Sequence, residues 1–102
     1  MDTLGNRERK LYEHAIDKWG VDAQVDMVVE ECSELILAIQ KSKRGQGSAK
    51  EIIDELVDVQ VMIDQMKIIL QQDKRIDFDK VWDIAWNYKI DRLESRLNGG
   101  AE

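Results

Sequence analysis

The 102-residue chain has no proline, one cysteine and one histidine. A single cysteine excludes an internal disulfide bond, so we expect a protein of the reducing cytoplasm. No apolar run approaches the roughly 18–20 residues of a membrane span, and the polar start of the chain lacks the apolar core of a signal peptide. The absence of proline favours long helices over β-rich folds, which use proline at turns and edges.

Charge and length restrict the class of protein further. Lys and Arg number 15 against 21 Asp and Glu, which gives a net charge of −6. An acidic chain repels phosphate backbones, so we expect no nucleic acid among its partners. The length predicts a single domain over residues 1–102. Because so small a domain buries a modest fraction of its surface, partner subunits would help to stabilise it.

Hydrophobic periodicity and capping residues predict four helices and therefore an all-α fold. The helices cover about residues 3–18, 22–42, 48–72 and 77–97. Gly20 ends the first helix, and the third begins at a capping box in which Glu51 follows the N-cap residue Ser48. The apolar stripe predicted for the first helix consists of Leu4, Leu11, Ala15 and Trp19.

Two of the predicted helices carry carboxylates within their apolar faces. In the second helix Glu31 falls inside the apolar arc, and Glu34 lies about 60° away at its edge. The third helix repeats the arrangement with Glu55 inside its arc and Asp58 at the edge. An ionised carboxylate on an apolar face is costly unless it is paired or coordinated. The four acids therefore predict a divalent-cation site between two neighbouring helices.

The available ligand types indicate which cation this site would bind. Zinc sites use Cys and His, and carboxylate-bridged iron bundles use Glu-x-x-His motifs. The only histidine, His14, lies outside both acidic motifs. All-oxygen ligation favours Mg²⁺, with Mn²⁺ as an alternative. Two other interpretations stay open, a non-enzymatic helical regulatory module with an acidic face and a carboxylate-bridged redox bundle.

The predicted fourth helix carries cations on its apolar face. Lys89 falls within this face and Arg92 lies at its edge. Such side chains either extend their stems over apolar surface or, next to a metal site, bind phosphate oxygens. Lys41, near the end of the second helix, adds to the positive charge. Acids that hold a metal together with bases that hold phosphate imply a metal–phosphate substrate.

The third helix has a second apolar stripe on the side opposite its acids. This stripe consists of Ile53, Val57, Val61 and Ile68. A helix that is apolar on two sides must bury both of them. The stripe predicts either a partner subunit or a neighbouring helix of the same chain.

The acidic motifs resemble those of a known family. Residues 30–34 read Glu-Glu-Cys-Ser-Glu and residues 55–58 read Glu-Leu-Val-Asp. This resembles the Glu-Glu-x-x-Glu and Glu-x-x-Asp signature of the all-α nucleoside triphosphate pyrophosphatases, the MazG-like superfamily. Residues 19–36 and 88–92 are also similar. The resemblance implies an antiparallel four-helix bundle that assembles as a homodimer or tetramer, and Mg²⁺-dependent hydrolysis of a (d)NTP to the (d)NMP and pyrophosphate.

The resemblance also implies roles for individual residues. The implied metal ligands are Glu31, Glu34, Glu55 and Asp58. The implied catalytic acids are Glu31 and its neighbour Glu30, the latter as a base or a structural partner. The implied substrate contacts are Lys89 and Arg92 with phosphates, Gln24 with the substrate, and Trp19 or His14 at the border of the base; Lys41 is a further candidate from its charge alone. The sequence names neither the base nor the sugar.

Overall fold

The computed structural model describes residues 4–100. Within this range it has four α-helices and no β-strand, which confirms the all-α prediction. The helices are α1 (Asn6–Trp19), α2 (Val21–Lys43), α3 (Ala49–Gln71) and α4 (Phe78–Leu97). The predicted start of the first helix at residue 3 lies outside the described residues. No helix in the described part of the chain combines the length and apolar character needed to cross a membrane.

The predicted breaks at Gly20, Ser48 and Asp77 are confirmed by local contacts, whereas α1 begins at Asn6, later than the predicted residue 3. Gly20 separates α1 from α2 with φ of +91°, a conformation that glycine adopts without steric cost. Ser48 Oγ accepts a hydrogen bond from the backbone N–H of Glu51 at 3.3 Å, so Ser48 caps α3. Asp77 Oδ1 accepts from the backbone N–H of Lys80 at 3.3 Å and caps α4.

The described chain divides into two compact units, residues 4–69 with α1, α2 and most of α3, and residues 70–100 with α4. In the second unit, the ring of Phe78 stacks on Trp82 at 5.7 Å between centroids, and Trp82 stacks on Trp86 at 6.4 Å. These rings follow one another at four-residue spacing on the predicted apolar face of α4. The assembly of all four helices into an antiparallel bundle stays a prediction.

In the unit of residues 4–69, helices α2 and α3 run antiparallel. Gln24, early in α2, hydrogen-bonds to Gln65, late in α3. Lys41, near the end of α2, pairs with Glu51 near the start of α3. The buried apolar side chains of the described residues are Ile16, Ala38, Val59, Met62 and Ile68. The two long helices and α1 therefore share one small core.

The first helix buries a different face from the predicted one. Ile16 is buried, whereas Leu11 and Trp19 are 54% and 61% exposed. Burial raises the pKa of Tyr12, and the charge of Asp64 raises it further, so this part of α1 lies near α3. Since Tyr12 and Ile16 are four residues apart, they share one helical face. The predicted stripe is wrong at Leu11 and Trp19 because α1 turns its Tyr12 and Ile16 side inward.

The second apolar stripe of α3 divides into two parts. Ile53 and Val57 are 57% and 56% exposed. Val61 is half-buried and Ile68 is buried in the described chain itself. The early half of this stripe is therefore the part that still lacks apolar cover.

Candidate metal centre

The acids of the two predicted motifs converge. Glu31 and Glu34 lie one turn apart on α2, and the antiparallel packing brings Glu55 of α3 opposite them. One carboxylate oxygen from each of these three residues lies within 4.8 Å of the others. The charge of Asp58, one turn beyond Glu55, acts on both Glu31 and Glu55. We call these four residues the acidic cluster; their convergence agrees with the helical phases, and their role as ligands stays a prediction.

Crowding in the acidic cluster opposes ionisation. Burial raises the pKa of Glu31, and the charges of Glu34, Asp58 and Glu55 raise it further. For Glu55 the cause is again burial first, followed by the charges of Glu34 and Asp58. Glu31 and Glu55 therefore retain protons more readily than isolated glutamates do, and a bound cation would replace those protons.

The donor set of the acidic cluster fits a hard divalent cation. Oxygen ligands about 2.1 Å from Mg²⁺ lie at most about 4.2 Å apart. Oxygens within 4.8 Å of one another reach that spacing by small rotations of glutamate side chains. Among residues 4–100 no other group of three or more Asp, Glu, His or Cys side chains converges in this way. Carboxylates alone suit Mg²⁺ or Mn²⁺ better than soft-ligand metals.

An open depression of about 360 Å³ adjoins the acidic cluster. Glu34 and Glu55 line it on the cluster side, and Lys41 and Glu51 also line it. Lys41 Nζ lies 3.4 Å from a carboxylate oxygen of Glu51, so this predicted phosphate ligand forms an ion pair. The remaining lining residues are Leu37, Ala38 and Asp54. The ammonium group of Lys41 therefore lines the same depression as two of the candidate metal ligands, Glu34 and Glu55.

The predicted catalytic acids differ in their surroundings. Glu31 is partly buried in the acidic cluster, whereas Glu30 is exposed on α2. Consecutive residues of a helix point about 100° apart, so Glu30 faces away from the direction of Glu31. Glu30 is therefore accessible to solvent next to Glu31 in the chain.

Gln24 has an unexpected partner. Its side chain is 5% exposed, and its amide donates to Gln65 Oε1 at 2.6 Å. In this arrangement Gln24 presents almost no surface to a substrate. Gln65 was not among the predicted site residues, although the sequence contains a signal for it. Gln65 follows Asp58 by seven residues, as Glu31 follows Gln24 by seven.

The other predicted substrate contacts lie on α1 and α4. Trp19 and His14 are exposed on α1. Lys89 is exposed on α4, and the guanidinium carbon of Arg92 lies 5.9 Å from the centre of the Tyr88 ring. The roles of these residues in substrate binding stay predictions.

Comparison with known proteins identifies the family. No curated protein and no solved structure matches the chain. A family model described as MazG nucleotide pyrophosphohydrolase domain matches residues 20–96. The matched range contains the whole acidic cluster together with Lys41, Lys89 and Arg92, whereas His14 and Trp19 precede it. The match confirms the resemblance seen in the acidic motifs, and the chain belongs to the MazG nucleotide pyrophosphohydrolase domain family.

Proposed function

We propose that the chain is a Mg²⁺-dependent pyrophosphohydrolase that converts a ribo- or deoxyribonucleoside triphosphate to the monophosphate and pyrophosphate. The supporting observation is the convergence of carboxylate oxygens from Glu31, Glu34 and Glu55 within a MazG domain. Family membership supports nucleotide hydrolysis, and the all-carboxylate donor set supports Mg²⁺, with Mn²⁺ as an alternative.

The acidic cluster would hold the cation. Bound there, a divalent cation neutralises charge on the triphosphate and polarises its phosphorus–oxygen bonds. Without such neutralisation, the carboxylates of the cluster would repel a polyanionic substrate. The raised pKa values of Glu31 and Glu55 are consistent with acids held close together for this purpose.

The remaining residues of the chain would orient substrate and move protons. The exposed carboxylate of Glu30 can accept a proton from the attacking water, with Glu31 as the second candidate. The ammonium of Lys41 can exchange its Glu51 partner for a phosphate oxygen, because both partners are anionic oxygens. By the resemblance, Lys89 and Arg92 bind phosphates, and Trp19 or His14 borders the base.

Hydrolysis would break the bridge between the α- and β-phosphates. Water adds its oxygen to one of the two phosphorus atoms, a carboxylate takes the proton, and the other phosphate departs with the bridging oxygen. Attack at either phosphorus gives the same products. Hydrolysis in ¹⁸O-labelled water distinguishes them, since the label appears in the monophosphate or in the pyrophosphate.

The proposal is tested by incubating a panel of NTPs and dNTPs with Mg²⁺ and detecting pyrophosphate. Glu55→Gln should abolish release while the helical circular dichroism spectrum is retained. Glu13→Gln, the same exchange at an exposed glutamate of α1, is the matched control and should retain activity. Wild-type turnover in the Glu55→Gln variant would overturn the assigned site. No release from any nucleotide by the wild-type chain would overturn the function.

The chain is further proposed to assemble as a homodimer or a dimer of dimers. Apolar side chains exposed in the single chain support this assembly, among them Val29 and Ile36 on α2 and Ile53 and Val57 on α3. Clustered exposed apolar side chains mark surfaces that associate. Sedimentation should give at least a dimer, and Val57→Glu should lower the mass. A monomeric wild-type protein would overturn this assembly.

A further inference from the structure

We infer that Gln24 and Gln65 are positioning residues whose buried hydrogen bond sets the register at which α2 and α3 bring the acidic cluster together. The inference rests on the proposed function, since it concerns how the same metal centre is assembled. It assigns Gln24 a structural task in place of direct substrate contact.

The pair is buried and specific. Gln24 is 5% and Gln65 is 6% exposed, and the donor–acceptor distance is 2.6 Å. Among the described residues, no buried side-chain nitrogen or oxygen lacks a hydrogen-bond partner. A buried amide that loses its partner bears the full free-energy cost of its desolvation. Sliding one helix past the other would leave two such amides unpaired, so the native alignment is favoured over its neighbours.

The spacing connects this pair to the acidic cluster. Gln24 precedes Glu31 by seven residues, and Gln65 follows Asp58 by seven. Seven residues make about two helical turns, roughly 10.5 Å, and return to nearly the same face. Glu31 and Asp58 meet across the helices in the acidic cluster: an oxygen of Glu31 lies within 4.8 Å of one of Glu55, one turn before Asp58, and the charge of Asp58 raises the pKa of Glu31. The amide pair and this acid pair are therefore successive layers of one interface, and alignment at the first sets alignment at the second.

Other contacts between α2 and α3 set the register less strictly. The acids repel one another when ionised, and apolar contacts such as those of Val59 are non-directional. The Lys41–Glu51 ion pair is largely exposed, and such pairs contribute little. The exposed connection at residues 44–48 contains Gly45 and Gly47, both with positive φ. A buried polar pair in a helix interface is known to specify register, and the Gln24–Gln65 pair is such a pair.

The test replaces both amides by methionine, which has a similar length and no hydrogen-bonding amide. The variant is Gln24→Met/Gln65→Met, and the matched control is Gln40→Met/Gln60→Met, the same exchange at exposed glutamines of the same two helices. Mn²⁺ binding to metal-free protein is measured from the loss of the free-ion electron paramagnetic resonance signal. Urea unfolding of each protein is measured in parallel.

We expect the variant to unfold at a urea concentration close to that of wild type, because both partners are replaced together. Its affinity for Mn²⁺ should fall about tenfold or more, a loss typical of disturbed ligand orientation. The control should bind Mn²⁺ like wild type. A pair with a merely structural role would leave Mn²⁺ affinity unchanged.

Wild-type Mn²⁺ affinity in the Gln24→Met/Gln65→Met variant would overturn the inference and leave the proposed function intact. If the wild-type chain itself binds no Mn²⁺, the metal centre is overturned and the inference with it. Should the double variant fail to fold, Gln65→Asn retains an amide but shortens its reach. Weakened Mn²⁺ binding with cooperative unfolding in that variant supports the inference, and unchanged binding overturns it.

Discussion

Magnesium should stabilise the folded chain, and Glu31→Gln should remove most of that stabilisation. Glu31 is the member of the acidic cluster whose pKa is raised by the charges of all three other acids. A ligand that binds only the folded state at ten times its dissociation constant contributes about 1.4 kcal/mol. In a chain of 102 residues, each kcal/mol moves the unfolding midpoint by about 4–8 °C. Saturating magnesium should therefore raise the wild-type midpoint by about 6–11 °C.

Without metal the same substitution should act in the opposite direction. Glutamine is neutral, so Glu31→Gln removes a charge that burial and the neighbouring acids oppose. The metal-free variant should unfold at or above the wild-type temperature at neutral pH. The order of stability should then reverse when magnesium is added.

Calorimetry or dye-based thermal unfolding measures both effects, with EDTA in one series and magnesium in the other. Protein concentration is held constant, because assembly would also shift the midpoint. Glu13→Gln serves as the control, and magnesium should raise its unfolding midpoint as much as that of wild type. Two results would contradict this prediction. One is a rise in the unfolding midpoint of Glu31→Gln with magnesium as large as that of wild type. The other is a metal-free variant that is markedly less stable than metal-free wild type.

Three further predictions concern pH, phosphate binding and capping. Because Glu31 and Glu55 have raised pKa values when folded, their stabilising contribution is present at acid pH and is lost as the pH rises through those values. In metal-free protein, the stability of wild type relative to Glu31→Gln should therefore fall in urea titrations as the pH rises above about 4, the ordinary pKa of a glutamate, and a constant difference would contradict this. Lys89→Ala should lower kcat/KM about 10- to 100-fold, because it removes a charged hydrogen bond to the substrate. Lys80→Ala, at an exposed lysine of the same helix, is the control and should leave kcat/KM unchanged. Equal kinetics in the two variants would refute the phosphate contact. Ser48→Ala should cost about 1 kcal/mol by removing the cap of α3, and an unchanged urea midpoint would show that the cap contributes nothing.

Much of the candidate site could be predicted because the sequence of each helix determines which of its residues share a face. Helical phase alone places Glu31 and Glu34 on one side of α2, and Glu55 and Asp58 on one side of α3. The N-cap residue Ser48 marks where α3 begins, since its hydroxyl satisfies a backbone N–H of the first turn. These signals are local, acting over three or four residues, so they can be read along the chain.

The contacts between residues of different helices were decided by the tertiary structure, because the periodicity of each helix carries no information about them. The partner of Gln24 lies 41 residues away; both glutamines stand seven residues from an acid of the cluster, but that spacing does not specify a hydrogen bond between them. The buried face of α1 depended on where α3 lies, so Tyr12 and Ile16 turned inward in place of Leu11. Local periodicity establishes which faces a helix offers. Which residues meet across two helices depends on register, and register is set by directional contacts such as buried hydrogen bonds that form only when the helices pack.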